Sequence, residues 1–234
     1  MDLVRKNLGF DYGEFILSEG IAGGFCFLWR ADANIKVLRI RNSPFECRLW
    51  EPQCQKFWTL FAVYGPPYDD EKAWFWEEFT SYVSKEEDLL VVMGDLNVSL
   101  NREDKIGGRR FVEKDGEILQ SFLDCTRGVD LGFKGCKYTW QNKRFKGGLI
   151  RERIDRAVVN TEWLSICPNG GVHNLPIVAS DHGPLILYTE MKKGRGSRVF
   201  RFYEAWLRES TCKEVIMDTW KLSEKGRGRN SLVM

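Results

Sequence analysis

Leu89-Leu90-Val91-Val92-Met93-Gly94-Asp95-Leu96-Asn97 is a short apolar run that stops on glycine, aspartate and asparagine. Five apolar residues in a row, with β-branched Val91 and Val92 at the centre, predict a strand buried on both faces. The stop matters as much as the run. Strand alternation would put Asp95 and Asn97 on one face, two residues apart. A carboxylate beside an amide can orient a water and hydrogen-bond a phosphate. Gly, Asp and Asn also simply favour turns, so the tetrapeptide alone does not decide between site and turn.

Outward from this run, strands and helices alternate. Phe25–Trp29, Ile35–Arg41 and Phe57–Tyr64 read as strands, punctuated at Asn42–Pro44 and Pro66–Pro67. Asp69–Asp70 are placed to cap a helix over Glu71–Ser84, whose rings Trp74, Phe75, Trp76, Phe79 and Tyr82 suit packing on a sheet. Residues 113–127 repeat apolar side chains at i, i+4 and predict a second helix. Tyr138–Asn142 and Arg153–Val159 read as strands. Thr161–Ile166 reads as a short helix capped by Thr161, and Pro184–Thr189 as the last strand. Beyond a basic Gly/Ser stretch, Lys192–Arg198, an amphipathic helix is expected over Phe202–Leu222.

Composition narrows the class. Of 234 residues, 43% are hydrophobic and 29% charged, which is too apolar for a disordered chain and sufficient for one large core. The net charge of +2 hides an uneven spread. Residues 192–234 carry eleven basic and five acidic side chains, so the remainder is mildly acidic. A basic tail suits phosphate neutralisation, and equally a solvated linker. The seven cysteines are odd in number and form no C-x-x-C pair, which argues against a zinc site or disulfide scaffold and for a reducing compartment. No apolar run has membrane-spanning length and no secretory signal opens the chain. An intracellular protein without a membrane is expected.

Three further stretches could carry chemistry. Ser180-Asp181-His182 holds one of two histidines, and an adjacent Asp–His pair can bind a cation and a phosphoryl oxygen together. In Arg153-Ile154-Asp155-Arg156, the inward residue would be Ile154 or Asp155 but not both; Asp155 could hold the His182 ring. Tyr64, ending a strand before Gly65-Pro66-Pro67, could offer a phenol. Each has a plain structural account when taken singly: a capped loop, a surface salt-bridge cluster, a core aromatic.

Their order changes the weighing. The sequence runs Val63-Tyr64-Gly65, Gly94-Asp95-Leu96-Asn97, Asp130-Leu131-Gly132-Phe133, Tyr138-Thr139-Trp140, Arg153-Ile154-Asp155-Arg156, then Ser180-Asp181-His182. This series resembles the endonuclease/exonuclease/phosphatase superfamily. It is most similar to the endonuclease domains of plant LINE-type (non-LTR) retrotransposons. The likeness runs on through Phe200-Arg201-Phe202 and Ala205-Trp206-Leu207, which look like the segment preceding a reverse transcriptase.

The resemblance implies an α/β (α+β) fold: a two-sheet β-sandwich flanked by helices, DNase I-like. It implies an endonuclease-type domain over 1–191, then a basic linker and helix over 192–234. It implies Mg²⁺- (or Mn²⁺-) dependent hydrolysis of phosphodiesters in DNA, and a nuclear location. Asp95 would orient or deprotonate the attacking water, with Asn97 beside it. Tyr64 and His182 would contact the phosphate, Asp155 would partner His182, and Asp95, Asn97 and Asp181 would serve the metal. In the family an Asn-bearing strand and a strand ending in a metal-binding Glu come earlier, roughly fifty residues of pattern on typical element lengths. The chain is therefore expected to lack its first strands and that Glu. Weakened metal binding and an open edge at Leu89–Met93 are the expected consequences. The competing expectation is a non-catalytic remnant that binds DNA or a partner; a phosphatase of the same superfamily is a third.

Overall fold

The computed structural model describes residues 2–17, 24–40, 44–52, 55–86, 88–142, 148–191 and six positions between 211 and 218. The chain forms two compact units, Met1–Lys193 and Gly194–Met234. In the second, the described positions are helical. The rest of the expected helix Phe202–Leu222, the linker Lys192–Arg198 and the stretch 200–207 lie outside the described residues.

In chain order the first unit contains α1 (Asp2–Asn7), β1 (Tyr12–Ile16), β2 (Phe25–Trp29), β3 (Ile35–Ile40), β4 (Phe45–Glu51) and β5 (Lys56–Tyr64). Then come α2 (Asp69–Val83), β6 (Leu90–Asp95), β7 (Lys105–Ile106), α3 (Glu113–Thr126), β8 (Gly128–Asp130), β9 (Lys134–Gly135) and β10 (Trp140–Gln141). Last are β11 (Arg151–Glu152), β12 (Asp155–Asn160), α4 (Thr161–Ile166), β13 (Gly171–Asn174) and β14 (Leu185–Tyr188).

The main sheet has strand order β3-β4-β5-β6-β12-β8. Its two faces bury different residues because side chains alternate along each strand. Phe61 and Val63 of β5, Leu90 and Val92 of β6 and Val158 of β12 pack with Trp76, Phe79 and Val83 of α2 and Leu119, Phe122 and Leu123 of α3. Phe79 and Phe122 stack at 5.5 Å and join the two helices. The opposite face carries Trp58, Leu60, Val91, Ala157 and Val159. It packs against Trp163 of α4, Val172 of β13, Leu185 and Leu187 of β14, and Phe25 and Phe27 of the β1–β2 hairpin. The second layer includes the sheet β14-β13-β9. The expected class therefore holds: mixed α/β, with packed sheets flanked by helices.

Several local expectations need correction. Leu89–Met93 meets no open edge, since β6 runs parallel to β5 on one side and antiparallel to β12 on the other. Asp69 and Asp70 do not cap α2; Tyr68 occupies the cap position without a side-chain bond, and the aspartates enter the first turn. There they still favour the positive end of the helix dipole. Thr161 does not cap α4 either. Asn160 does, accepting from Trp163 N at 3.0 Å, while the same side chain accepts from Leu90 N and donates to Asp88 O. The strand expected over Tyr138–Asn142 shrinks to β10, and that over Arg153–Val159 is β12, shifted to Asp155–Asn160, with the separate short strand β11 just before it. Sequence reasoning assigns no element to Phe45–Glu51, yet β4 is a full strand between β3 and β5. Phe45, Cys47 and Leu49 alternate with Glu46 and Arg48, the period-2 pattern of a strand, so the sequence does carry its signal. What it does not carry is that Glu46 is itself buried, bonded by Tyr82 Oη at 2.6 Å.

Candidate active site

Tyr64, Asp95 and Asp155 form one row across the main sheet. The β5–β6 register pairs Tyr64 with Asp95, and the β6–β12 register pairs Asp95 with Asp155. Paired residues share a face. Alternation from Val91 and Met93, and from Ala157 and Val159, puts both aspartates on the face turned toward the second layer. That layer supplies His182 from the loop before β14.

His182 sits between the two carboxylates. Its Nδ1 is 3.0 Å from Asp155 Oδ2, and its Nε2 is 3.8 Å from Asp95 Oδ2. Burial pulls the imidazole pKa down, but the hydrogen bond and charge of Asp155, with Asp95 and Asp181 adding, carry it above its ordinary value. Asp95 is pushed up to about 7, first by burial and then by the facing Asp155, with His182 and Asn97 opposing. A carboxyl held near neutrality is what a group exchanging protons with water at physiological pH requires.

Asn97 reaches Asp95 by a turn, not by strand alternation. β6 ends at Asp95, and Asn97 is left-handed with φ 50°. Its main-chain N–H donates to Asp95 Oδ1 at 3.0 Å; its side-chain amide donates to Asp95 Oδ2 at 3.2 Å and Gly65 O at 2.7 Å. Two glycines make the close approach possible. A Cβ on Gly94, at φ 141°, would lie 2.0 Å from Val63 O; one on Gly65 would lie 2.4 Å from Leu96 O. The structure thus brings Tyr64, Asp95, Asn97, Asp155 and His182 to one end of the sheet. Asp181 is adjacent, its carbonyl accepting from Gln141 N at 2.9 Å. His173, to which the sequence gives no role, lies in β13 beside Lys134 and Ile186.

In the Arg153–Arg156 stretch the contact of Asp155 with His182 is the expected one, but the burial is not. Ile154 is buried and Asp155 largely so, because both faces of β12 are covered. Arg156 is fully buried on the helix side rather than in a surface cluster. Its Nη2 pairs with Asp104 at 2.5 Å and its Nη1 with Asp130 at 2.5 Å; Arg153 pairs with Asp130 at 2.8 Å. Burial works to raise Asp130, but the two guanidiniums hold it below the ordinary range. This quartet anchors the strand that begins with Asp155. The missed partners, Asp104 and Asp130, lie 52 and 26 residues from Arg156, beyond any local pattern.

Among the described residues, no three His, Cys, Asp or Glu side chains close around a single ion. The donors at the sheet end are nonetheless hard oxygens, two carboxylates and an amide. Such a set fits a cation of the Mg²⁺ kind, which keeps several waters and takes one or two protein carboxylates.

No family model and no curated protein matches the sequence. Solved structures do. The endonuclease domain of TRAS1, a telomere-specific non-LTR retrotransposon, superposes with a TM-score of 0.59 at 16% identity, covering 78% of this chain and 81% of that one. The AP endonuclease LMAP from Leishmania major gives a TM-score of 0.58 at 14% identity, covering 80% and 74%. At such identities the likeness is one of fold, and the fold of this chain is the DNase I-like one of endonuclease/exonuclease/phosphatase-type proteins.

Proposed function

We propose that this chain is a divalent-metal-dependent phosphodiesterase that nicks DNA, an endonuclease of the kind carried by plant LINE-like retroelements and working in the nucleus. The observation that carries the reading is the row Tyr64–Asp95–Asp155 with His182 lodged between the aspartates. That both superposable proteins are described as endonucleases supports it.

In this reading Asp95 accepts a proton from, or orients, the water that attacks phosphorus. Asn97 fixes Asp95. Asp155 holds the imidazole so that His182 Nε2 faces the phosphoryl oxygen, and a protonated His182 stabilises developing charge there. Tyr64 offers its phenol at the same edge. Asp95, Asn97 and Asp181 would hold Mg²⁺ or Mn²⁺, which supplies Lewis acidity toward the phosphate when bound. The basic segment 192–234 would neutralise backbone phosphates of the DNA.

The second reading is a remnant that binds DNA or a partner without turnover. The basic segment 192–234, with a net charge of +6, suits such binding. Nicking of supercoiled plasmid by the purified chain with Mg²⁺, against EDTA and Asp95→Ala, separates the two. Metal-dependent nicking lost in the variant supports the endonuclease. Binding without nicking by a folded chain rejects it in favour of the remnant.

A further inference from the structure

The geometry points to Thr139 as a positioning residue that keeps His182 and Asp155 in register, a role that rests on the hydrolytic reading above. Thr139 lies just before β10 and is 1% exposed. Its hydroxyl oxygen accepts two successive main-chain N–H groups, Ile154 at 3.2 Å and Asp155 at 3.0 Å. Its own N–H donates to Glu152 O at 2.9 Å, and its carbonyl accepts Gly183 N–H at 2.7 Å. One residue therefore grips both the strand that starts with Asp155 and the loop that carries His182. The next two positions extend the grip: Trp140 bridges His182, and Gln141 N–H donates to Asp181 O.

A pin of this sort answers a problem in the architecture. Asp155 belongs to the main sheet and His182 to a loop feeding the second, so neither ladder fixes one against the other. Asp155 has its strand partner Asp95 on one side only, because β8 joins β12 no earlier than Val158. The Thr139 hydroxyl supplies an acceptor where a third strand would otherwise stand. Valine at this position has the same shape but no lone pair, so it would leave two buried N–H groups unsatisfied. Serine keeps the oxygen.

The test compares wild type, Thr139→Val and Thr139→Ser. The first readout is the imidazole proton spectrum of isotope-labelled, metal-free protein, where His173 is the sole other histidine. Wild type and Thr139→Ser are expected to show the His182 Nδ1–H as a downfield, slowly exchanging signal from its bond to Asp155. Thr139→Val is expected to lose that signal while the His173 resonances stay put. The second readout is plasmid nicking. Thr139→Val should lower kcat by about 10–100-fold with little change in KM, and Thr139→Ser should stay near wild type. A folded Thr139→Val that keeps the signal overturns the proposal. So does a Thr139→Ser that loses it, or a defect seen in KM alone. If wild type does not nick, the endonuclease reading fails, and the imidazole spectrum still decides the role of Thr139. Should Thr139→Val not fold, Thr139→Ala against Thr139→Ser gives the same opposed outcomes.

Discussion

Asp95 and Asp155 face each other across the β6–β12 ladder, and His182 reaches both from the opposing layer, at 3.8 Å and 3.0 Å. Asp95 is the carboxyl whose ionisation is made costly, first by burial and then by the facing Asp155. This opposition makes the site chemically responsive and mechanically costly.

The cost has a pH signature. Asp95 has a folded pKa raised to about 7, so the neutral form is the one the fold favours. Its contribution is complete below its ordinary value of 3.8 and is lost as pH rises through about 7. His182, also raised, acts in the same direction. Chelated wild type should therefore lose stability on going from mildly acidic to mildly alkaline buffer, by up to about 4 kcal/mol if the full shift is expressed. Asp95→Asn should flatten the dependence, and added Mg²⁺ should recover part of the loss in wild type alone. Urea melts across that range, with and without EDTA, make the comparison; parallel profiles for wild type and variant would contradict it.

Asp155→Asn keeps the shape of the side chain and removes its charge. The His182 pKa should fall, since the bond and charge of Asp155 are what chiefly hold it up against burial. Nicking should drop by about 10–100-fold with the fold intact. An NMR titration of His182 beside a plasmid assay reads both. His182→Ala should abolish nicking in the same assay.

Gly94→Ala should disrupt the site from beneath. The new Cβ would meet Val63 O at 2.0 Å, at a φ that L residues rarely adopt, and neither backbone can yield without opening the β5–β6 ladder. A loss of about 3 kcal/mol or more is expected in urea melts. A near-neutral result would mean that the two strands part more easily than their pairing implies.

Arg156→Leu removes one of the two guanidiniums that pair with both Asp104 and Asp130 in the quartet behind β12, leaving Arg153 alone against two carboxylates. Breaking a buried pair from one side costs about 3–5 kcal/mol, mostly the uncompensated charge left behind. Restoring neutrality with Arg156→Leu/Asp104→Leu should recover part of it. Asp130 gives the opposite pH sign to Asp95. Its pKa is lowered, so its contribution is present above 3.8 and is lost as pH falls through the folded value. Asp130→Asn should accordingly hurt least in acid, as acid melts would register.

Deleting 192–234 should weaken DNA binding chiefly at low salt and reduce the slope of log affinity against log salt. Those residues carry a net +6. Titration of a fluorescent duplex at several salt concentrations reads the slope, and an unchanged slope would assign the tail another role.

Much of the scaffold is local information. β2 is the stretch Phe25–Trp29 that its three rings mark, α3 follows its i, i+4 repeat, and β6 follows the apolar run that ends at Asp95. Those features survive because period and propensity are properties of neighbours in the chain. β4 carries the same kind of local signal, Phe45, Cys47 and Leu49 alternating with Glu46 and Arg48, whereas the burial of Glu46 depends on Tyr82, 36 residues away. Where Asp95, Asp155 and His182 stand was likewise a matter of distant segments. By itself the sequence determined the residue types, their order and the strand ends that bear them. Only the tertiary structure decided that Asp95 meets Asp155 in register, that His182 reaches both, and that Arg156 turns inward to Asp104 and Asp130. The physical reason is that register, burial and charge pairing are set by groups brought together from 26 to 87 residues apart, as in Arg156–Asp130 and His182–Asp95, and no window along the chain contains both partners.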